Sequence, residues 1–230
     1  KRLLVVAFHF PPVQGSSGVF RTLSFARHLK ESGWDVTVLT VNPRAYENWS
    51  PDNLRLIPED LKVVRAPALD ARRHLAIFGR YPGFLAVPDR WQTWIATGVL
   101  AGLWHVWGNR PDVIFSTYPI PSAHRIALTL HKLTGIPWVA DFRDPMLQDT
   151  IPADAGMRRV FRSLEERIFE KASRVVVTQG TAELYRARYP KRTGEDVVVI
   201  PNGFDEAALA SMGVSAGSSA QEGERELVLL

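Results

Sequence analysis

Two short stretches of the sequence carry residue types that can do chemistry, and a third closes the pattern. Gly15-Ser16-Ser17-Gly18 is a turn ahead of a run with Val19, Leu23, Ala26 and Leu29 on one stripe. A helix opening there presents free backbone N–H groups and the positive end of its dipole, which favour an anion such as a diphosphate. The same residues also suit a plain tight turn with Ser16 or Ser17 as N-cap. The G-x-G-x-x-G spacing of a dinucleotide fingerprint is missing, and the next strand ends Thr40-Val41-Asn42 with no acid for a ribose. No Gly-Lys-Ser/Thr follows, so it is not a Walker loop. Asp141-Phe142-Arg143-Asp144 is the second stretch. Two carboxylates around a guanidinium can fix a polyol by charge-assisted hydrogen bonds, and one carboxylate can orient an attacking hydroxyl. A structural ion pair with Pro145 as the turn is the other reading of it. Asp141 and Asp144 are therefore the candidates for a catalytic role, with Arg143 beside them. His9 and Tyr118 follow predicted strands and His124 sits near a helix start after the Pro-rich turn; all three are candidates for touching a ligand, although a histidine satisfied within its own turn reads the same way. The third stretch, Asn202-Gly203-Phe204-Asp205, follows the last predicted strand.

Composition removes several alternatives. The chain has 230 residues and no cysteine, which excludes disulfide scaffolds, thiol catalysis, zinc fingers and iron–sulfur sites. A net charge of +4 permits anionic partners but is too small to call for nucleic acid. There is no H-E-x-x-H and no D-x-D, so no metal site is expected. Gly213-Val214-Ser215-Ala216-Gly217 fits G-x-S-x-G without the strand and helix that motif needs. Asn48-Trp49-Ser50 fits a glycosylation sequon without a secretory signal. The apolar run Ile95–Trp107 falls short of the ~20 residues of a membrane span. The expected location is cytoplasmic, at the inner membrane face if the segment 65–94 meets lipid. That segment mixes Arg65, Arg72, Arg73, Arg80 and Arg90 with Phe78, Tyr81, Phe84, Trp91 and Trp94. Such a mixture can dock on anionic headgroups. It also reads as aromatic cover for a sheet, with Trp94, Leu103 and Trp107 in the core.

The elements that must position these residues alternate strand, turn and helix. Predicted strands are Leu3–Phe8, Val36–Val41, a short Val63–Val64, Asp112–Thr117, Trp138–Ala140, Arg174–Thr178 and Asp196–Ile200. Most are continuous apolar runs, as in strands covered on both faces. Helices are predicted from the glycine turn to a stop at Gly33, from an N-cap at Asp89 to Trp107, from the Pro121 turn to Gly135, over Met157–Ser173 and over Thr181–Tyr189. This alternation predicts an α/β, doubly wound, Rossmann-like parallel sheet. Ligands of such sheets sit beyond the carboxyl ends of the strands, so the loops carrying Gly15, Asp141 and Asn202 should meet on one rim. Residues 207–225 read as a linker, and 226–230 as the first strand of a further domain.

Together, Phe10-Pro11-Pro12 with the glycine turn, Asp112-Val113-Ile114, Asp141-Phe142-Arg143-Asp144-Pro145 and Val199-Ile200-Pro201-Asn202-Gly203-Phe204-Asp205 resemble the amino-terminal domain of family 4 glycosyltransferases, which have the two-domain GT-B fold. The resemblance spans about residues 3–206. The Asp-Phe-Arg-Asp-Pro variant resembles the branch that builds bacterial surface polysaccharides on lipid carriers. It implies that residues 1–206 are the acceptor-side half of a retaining, metal-independent hexosyltransferase using a nucleotide-diphosphate sugar, with no other cofactor. Gly15 to Gly18 would then meet the donor phosphate. His9, Tyr118, His124 and Arg143 would meet a glycan or lipid-linked acceptor, and Asp141 and Asp144 would place its hydroxyl. Asn202, Gly203 and Asp205 would border the cleft between domains. The family's second domain carries two glutamates eight positions apart, a spacing absent from this chain, so this chain alone is expected to be inactive. A sugar-nucleotide epimerase of GT-B type and a non-catalytic glycan or lipid-carrier module are the alternatives.

Overall fold

Leu3, Leu4, Val5 and Val6 are all buried, and successive side chains of a strand leave on opposite faces. Leu3 and Val5 join Val36, Val38, Leu23 and Ala26 in one apolar cluster. Leu4 and Val6 join Leu39, Val41, Ile126 and Leu130 in another. The sheet thus separates two cores, as the continuous apolar runs require.

The structure is a computed structural model, and residues 1–16, 18–192 and 196–201 are described. The strands are β1 (Arg2–Val6), β2 (Asp35–Val41), β3 (Lys62–Ala66), β4 (Val113–Thr117), β5 (Trp138–Phe142), β6 (Arg174–Val177) and β7 (Val197–Val199). The helices are α1 (Gly18–Glu31), the single turn α2 (Ala71–His74), α3 (Thr93–Gly108), α4 (Pro121–Thr134), α5 (Ala155–Lys171) and α6 (Gln179–Arg188). One seven-stranded sheet runs β3-β2-β1-β4-β5-β6-β7, with every neighbouring pair parallel. The chain winds one way from β1 to β3 and the other way from β4 to β7, so the switch point lies between β1 and β4, where the loops diverge and leave a crevice.

Gly33 and Gly135 end α1 and α4 at φ +82° and +69°, a region where a Cβ is strained, as predicted for both. Three sequence expectations are corrected. Asp89 does not cap α3, which begins four residues later at Thr93. Its carboxylate accepts from Trp91 N at 3.0 Å and from Ser122 N at 2.7 Å, so it caps the first turn of α4 instead. Trp107 is not core but 77% exposed, whereas Trp94 is fully buried. β5 runs two residues beyond Ala140, which puts Asp141 inside the sheet rather than in the loop. Ser17, Asn202, Gly203, Asp205, the linker 207–225 and the strand 226–230 lie outside the described residues.

Candidate functional site: a half-cleft at the carboxyl rim

The loop after β1 is braced from the next connection. Tyr46 donates its hydroxyl proton to Phe8 O at 2.7 Å, and Phe10 O lies 3.1 Å from the same hydroxyl. Arg65 reaches Pro11 O at 2.6 Å, and Gln14 N donates to Asn48 O at 3.0 Å. His9 is therefore held between two fixed carbonyls. Its Nδ1 is buried and has no hydrogen-bond partner among the described residues. Burial, then the charge of Arg143, pushes its pKa down to about 4, so the ring is neutral near pH 7.

The start of α1 stands against this ring. A Cβ on Gly18 would lie 2.8 Å from Arg143 Nη1, 3.3 Å from Ser16 Oγ and 3.4 Å from His9 Nδ1. Glycine is needed there for close approach. Gly15 is different: its surroundings are open, but its φ is +72°. The helix N-terminus, a guanidinium and a neutral imidazole thus converge at one spot, an arrangement suited to an anion. Arg143 is placed by its backbone, whose carbonyl accepts from Thr178 Oγ1 at 3.0 Å and Thr181 Oγ1 at 3.3 Å at the start of α6.

The ion pair expected within Asp141–Asp144 joins other partners. Asp141 is fully buried, and its partner is Arg21 of α1. Arg21 Nη2 and Nε donate to the two carboxylate oxygens at 2.8 and 3.2 Å, and Thr117 Oγ1 adds 2.7 Å. Arg21 also donates to Ile200 O at 3.3 Å and Pro201 O at 3.1 Å. One side chain therefore brings the start of α1, the end of β5 and the exit of β7 together on one rim. Sequence reading missed Arg21. Its signal was a cation in the first turn of a helix, where the dipole disfavours it and no acidic residue offsets it locally.

Asp144 is exposed at the same rim. Burial first, then the charge of Asp144, pushes the Tyr118 hydroxyl up to about 12, so it stays a proton donor. His124 lies deeper, stacked 6.4 Å from the Tyr118 ring and fully buried. Its Nδ1 is 2.7 Å from Ser116 Oγ, which accepts from Trp138 Nε1 at 2.8 Å. Burial alone pushes its pKa down to about 3. The turn does not satisfy this histidine: the partner of Nδ1 is on β4, and Nε2 is buried without a hydrogen-bond partner among the described residues. Among the described residues no three His, Asp or Glu side chains come together in a metal-holding group, and no helix is long and apolar enough to cross a membrane.

An open, doubly wound parallel sheet with a crevice at its switch point defines an α/β Rossmann-like domain whose ligand side is the carboxyl rim. The match to the Glycosyl transferase 4-like domain spans residues 18–203, and the chain belongs to that family. Its fold is that of one half of GT-B glycosyltransferases. Sucrose-phosphate synthase from Thermosynechococcus elongatus superposes with a TM-score of 0.59 at 17% identity, over 94% of this chain and 53% of that one. UGT2 from Phytolacca americana, complexed with UDP-2-fluoro-glucose and pterostilbene, gives 0.59 at 13%, over 93% and 57%. HepE from Anabaena in complex with UDP-glucose gives 0.55 at 13%, over 92% and 50%. The chain spans about half the length of these structures. No curated protein matches it.

Proposed function

We propose that the chain is the acceptor-side half of a retaining, metal-independent sugar transferase. It moves a hexose from a nucleotide-diphosphate donor to a hydroxyl of a glycan or a lipid-linked acceptor. The observation that carries this reading is the convergence of Gly18, Arg143 and His9 on one point, with Asp144 and Tyr118 on the same rim. The anion-suited side stabilises a departing diphosphate as charge develops on it. Asp144 accepts from the acceptor hydroxyl and holds it against the anomeric carbon, while Tyr118 donates. Asp141, with both oxygens occupied, keeps Arg21 and the rim in place. Nucleotide-sugars in two of the solved structures support the donor class.

The test uses the natural full-length protein that contains this chain, given a panel of nucleotide-diphosphate hexoses with and without EDTA. Transfer that survives EDTA, with the donor's anomeric configuration kept in the product by NMR, is expected. Asp144→Asn should lower kcat/KM for the acceptor by ~100-fold with Tm unchanged, as loss of one positioning contact does. Gly18→Val should abolish turnover, because its side chain occupies the anion position. Absence of nucleotide-sugar binding or turnover would reject the proposal in favour of a glycan-binding module.

A further inference from the structure

The outer face of α3 is apolar along its length. Leu100 is 67% exposed, Trp104 78% and Trp107 77%, at helical spacing on one stripe. The inner face buries Trp94 and Val106 and, between them, two glycines: a Cβ on Gly98 or Gly102 would come within 2.6 and 2.7 Å of Ile126 and Leu130 of α4. Large apolar side chains thus stand on both faces, whereas the usual surface helix turns them inward only. No Lys, Arg, Asp or Glu occurs in α3. At its amino-terminal end the preceding segment adds Ile77, Phe78 and Phe84, tied to the helix by Gln92 Nε2 donating to Phe84 O at 2.6 Å. Phe78 is fully exposed at the tip of a turn closed by Ile77 and Arg80. It holds a positive φ of 50°, strain that no packing on the rest of the fold repays. These six are the most exposed large hydrophobic residues among those described.

The charge around this face is mainly positive, with Glu47 paired to Arg90, Asp35 paired to Lys62 and Asp112 exposed beyond the end of α3. Between Leu61 and Pro111 stand seven Lys and Arg against two Asp. Asp70 is buried beside Arg90, and Asp89 is engaged by the amino-terminus of α4. Arg72, Arg73 and Arg80 are exposed. Trp104 and Trp107 occupy the last two turns of α3, next to Asp112, whose N donates to Arg2 O at the start of β1. They lie toward the rim opposite the half-cleft, where a domain closing over the cleft leaves them uncovered.

We propose that the outer face of α3 and the Phe78 turn form a docking surface for an anionic lipid bilayer. The helix lies flat in the headgroup layer, with its tryptophans at the interface and the arginines on lipid phosphates. A second copy across a twofold axis would set the arginine cluster against itself, so charge favours the bilayer. The inference does not rest on sugar transfer, since it is read without donor or acceptor.

Flotation of the full-length protein with vesicles of phosphatidylglycerol and phosphatidylcholine, against phosphatidylcholine alone, is the experiment. Binding to the anionic vesicles with a blue-shifted tryptophan emission is expected, weakened by ~0.5 M salt. The pair Trp104→Ser and Trp107→Ser should weaken partitioning at least ~10-fold with Tm unchanged, as should Arg72→Glu with Arg80→Glu, which leave the apolar face intact. No wild-type flotation, or equal flotation of the tryptophan variant, overturns the proposal. So does a dimer in sedimentation velocity that the tryptophan variant dissolves.

Discussion

Asp141 and Asp144 stand three residues apart in surroundings of opposite kind. Asp144 is exposed, while Asp141 is buried against an Arg21 side chain only 8% exposed. Removing one member of such a pair strands the other charge away from water, which costs far more than the pair itself contributes. Arg21→Ala should therefore lower stability by about 3 kcal/mol, roughly 10 °C in Tm for a chain of this size. Replacing both, Arg21→Met with Asp141→Leu, should recover most of that loss. Calorimetry of the single and double variants checks it, and a single variant as stable as wild type removes the anchoring role of Asp141. The two aspartates were legible as a cluster because they share a short motif. Their different fates were not, because the partner of Asp141 lies 120 residues away and no spacing rule reaches it. Arg143 was legible too, but that it meets Gly18 and His9 depended on three loops folding to one rim.

At the scale of elements, strands were read well where both faces are buried and poorly at the β3 edge of the sheet. There Lys62 is exposed and only Ala66 is buried, so the five residues of β3 showed in sequence as two valines. The start of α3 was misread because Asp89 caps a different helix, a contact that needs the tertiary fold. The apolar run of α3 was legible as a helix. Which of its faces is inward was not, since tryptophans stand on both and neither face carries a charge. Gly102 is where this matters. A side chain there meets Leu130, so Gly102→Leu should force α3 and α4 apart and cost about 2 kcal/mol, despite the better helix propensity of leucine. A fall of about 5 °C in Tm is expected. An unchanged Tm would mean the helix contact is not tight.

The molecule as a whole couples its stability to the protonation of groups in and beneath the half-cleft. His9 and His124 have pKa values pushed down to about 4 and about 3, whereas an unfolded histidine titrates near 6.5. Both are neutral when folded and take up protons on unfolding once the pH drops below about 6.5. Unfolding is then favoured by up to ~1.4 kcal/mol per pH unit for each histidine, a loss that for His9 continues down to its folded value. Asp89 works in the opposite direction, because burial holds its carboxyl above the usual range and the folded state gains a proton first. His105, pushed down first by burial, adds to the two histidines, so Tm should fall from pH 7 to pH 5. His9→Gln should remove part of that slope. An anion held between Arg143 and the start of α1 stands beside His9 and favours its charged form, which raises its folded pKa. The terminal phosphate of UDP itself titrates over this range, so the readout is the difference: as pH falls from 7 to 5, stabilisation by UDP should hold up better in the wild type than in His9→Gln. A flat Tm over that range would remove the coupling, and an equal pH dependence of UDP stabilisation in both proteins would place the bound diphosphate away from His9.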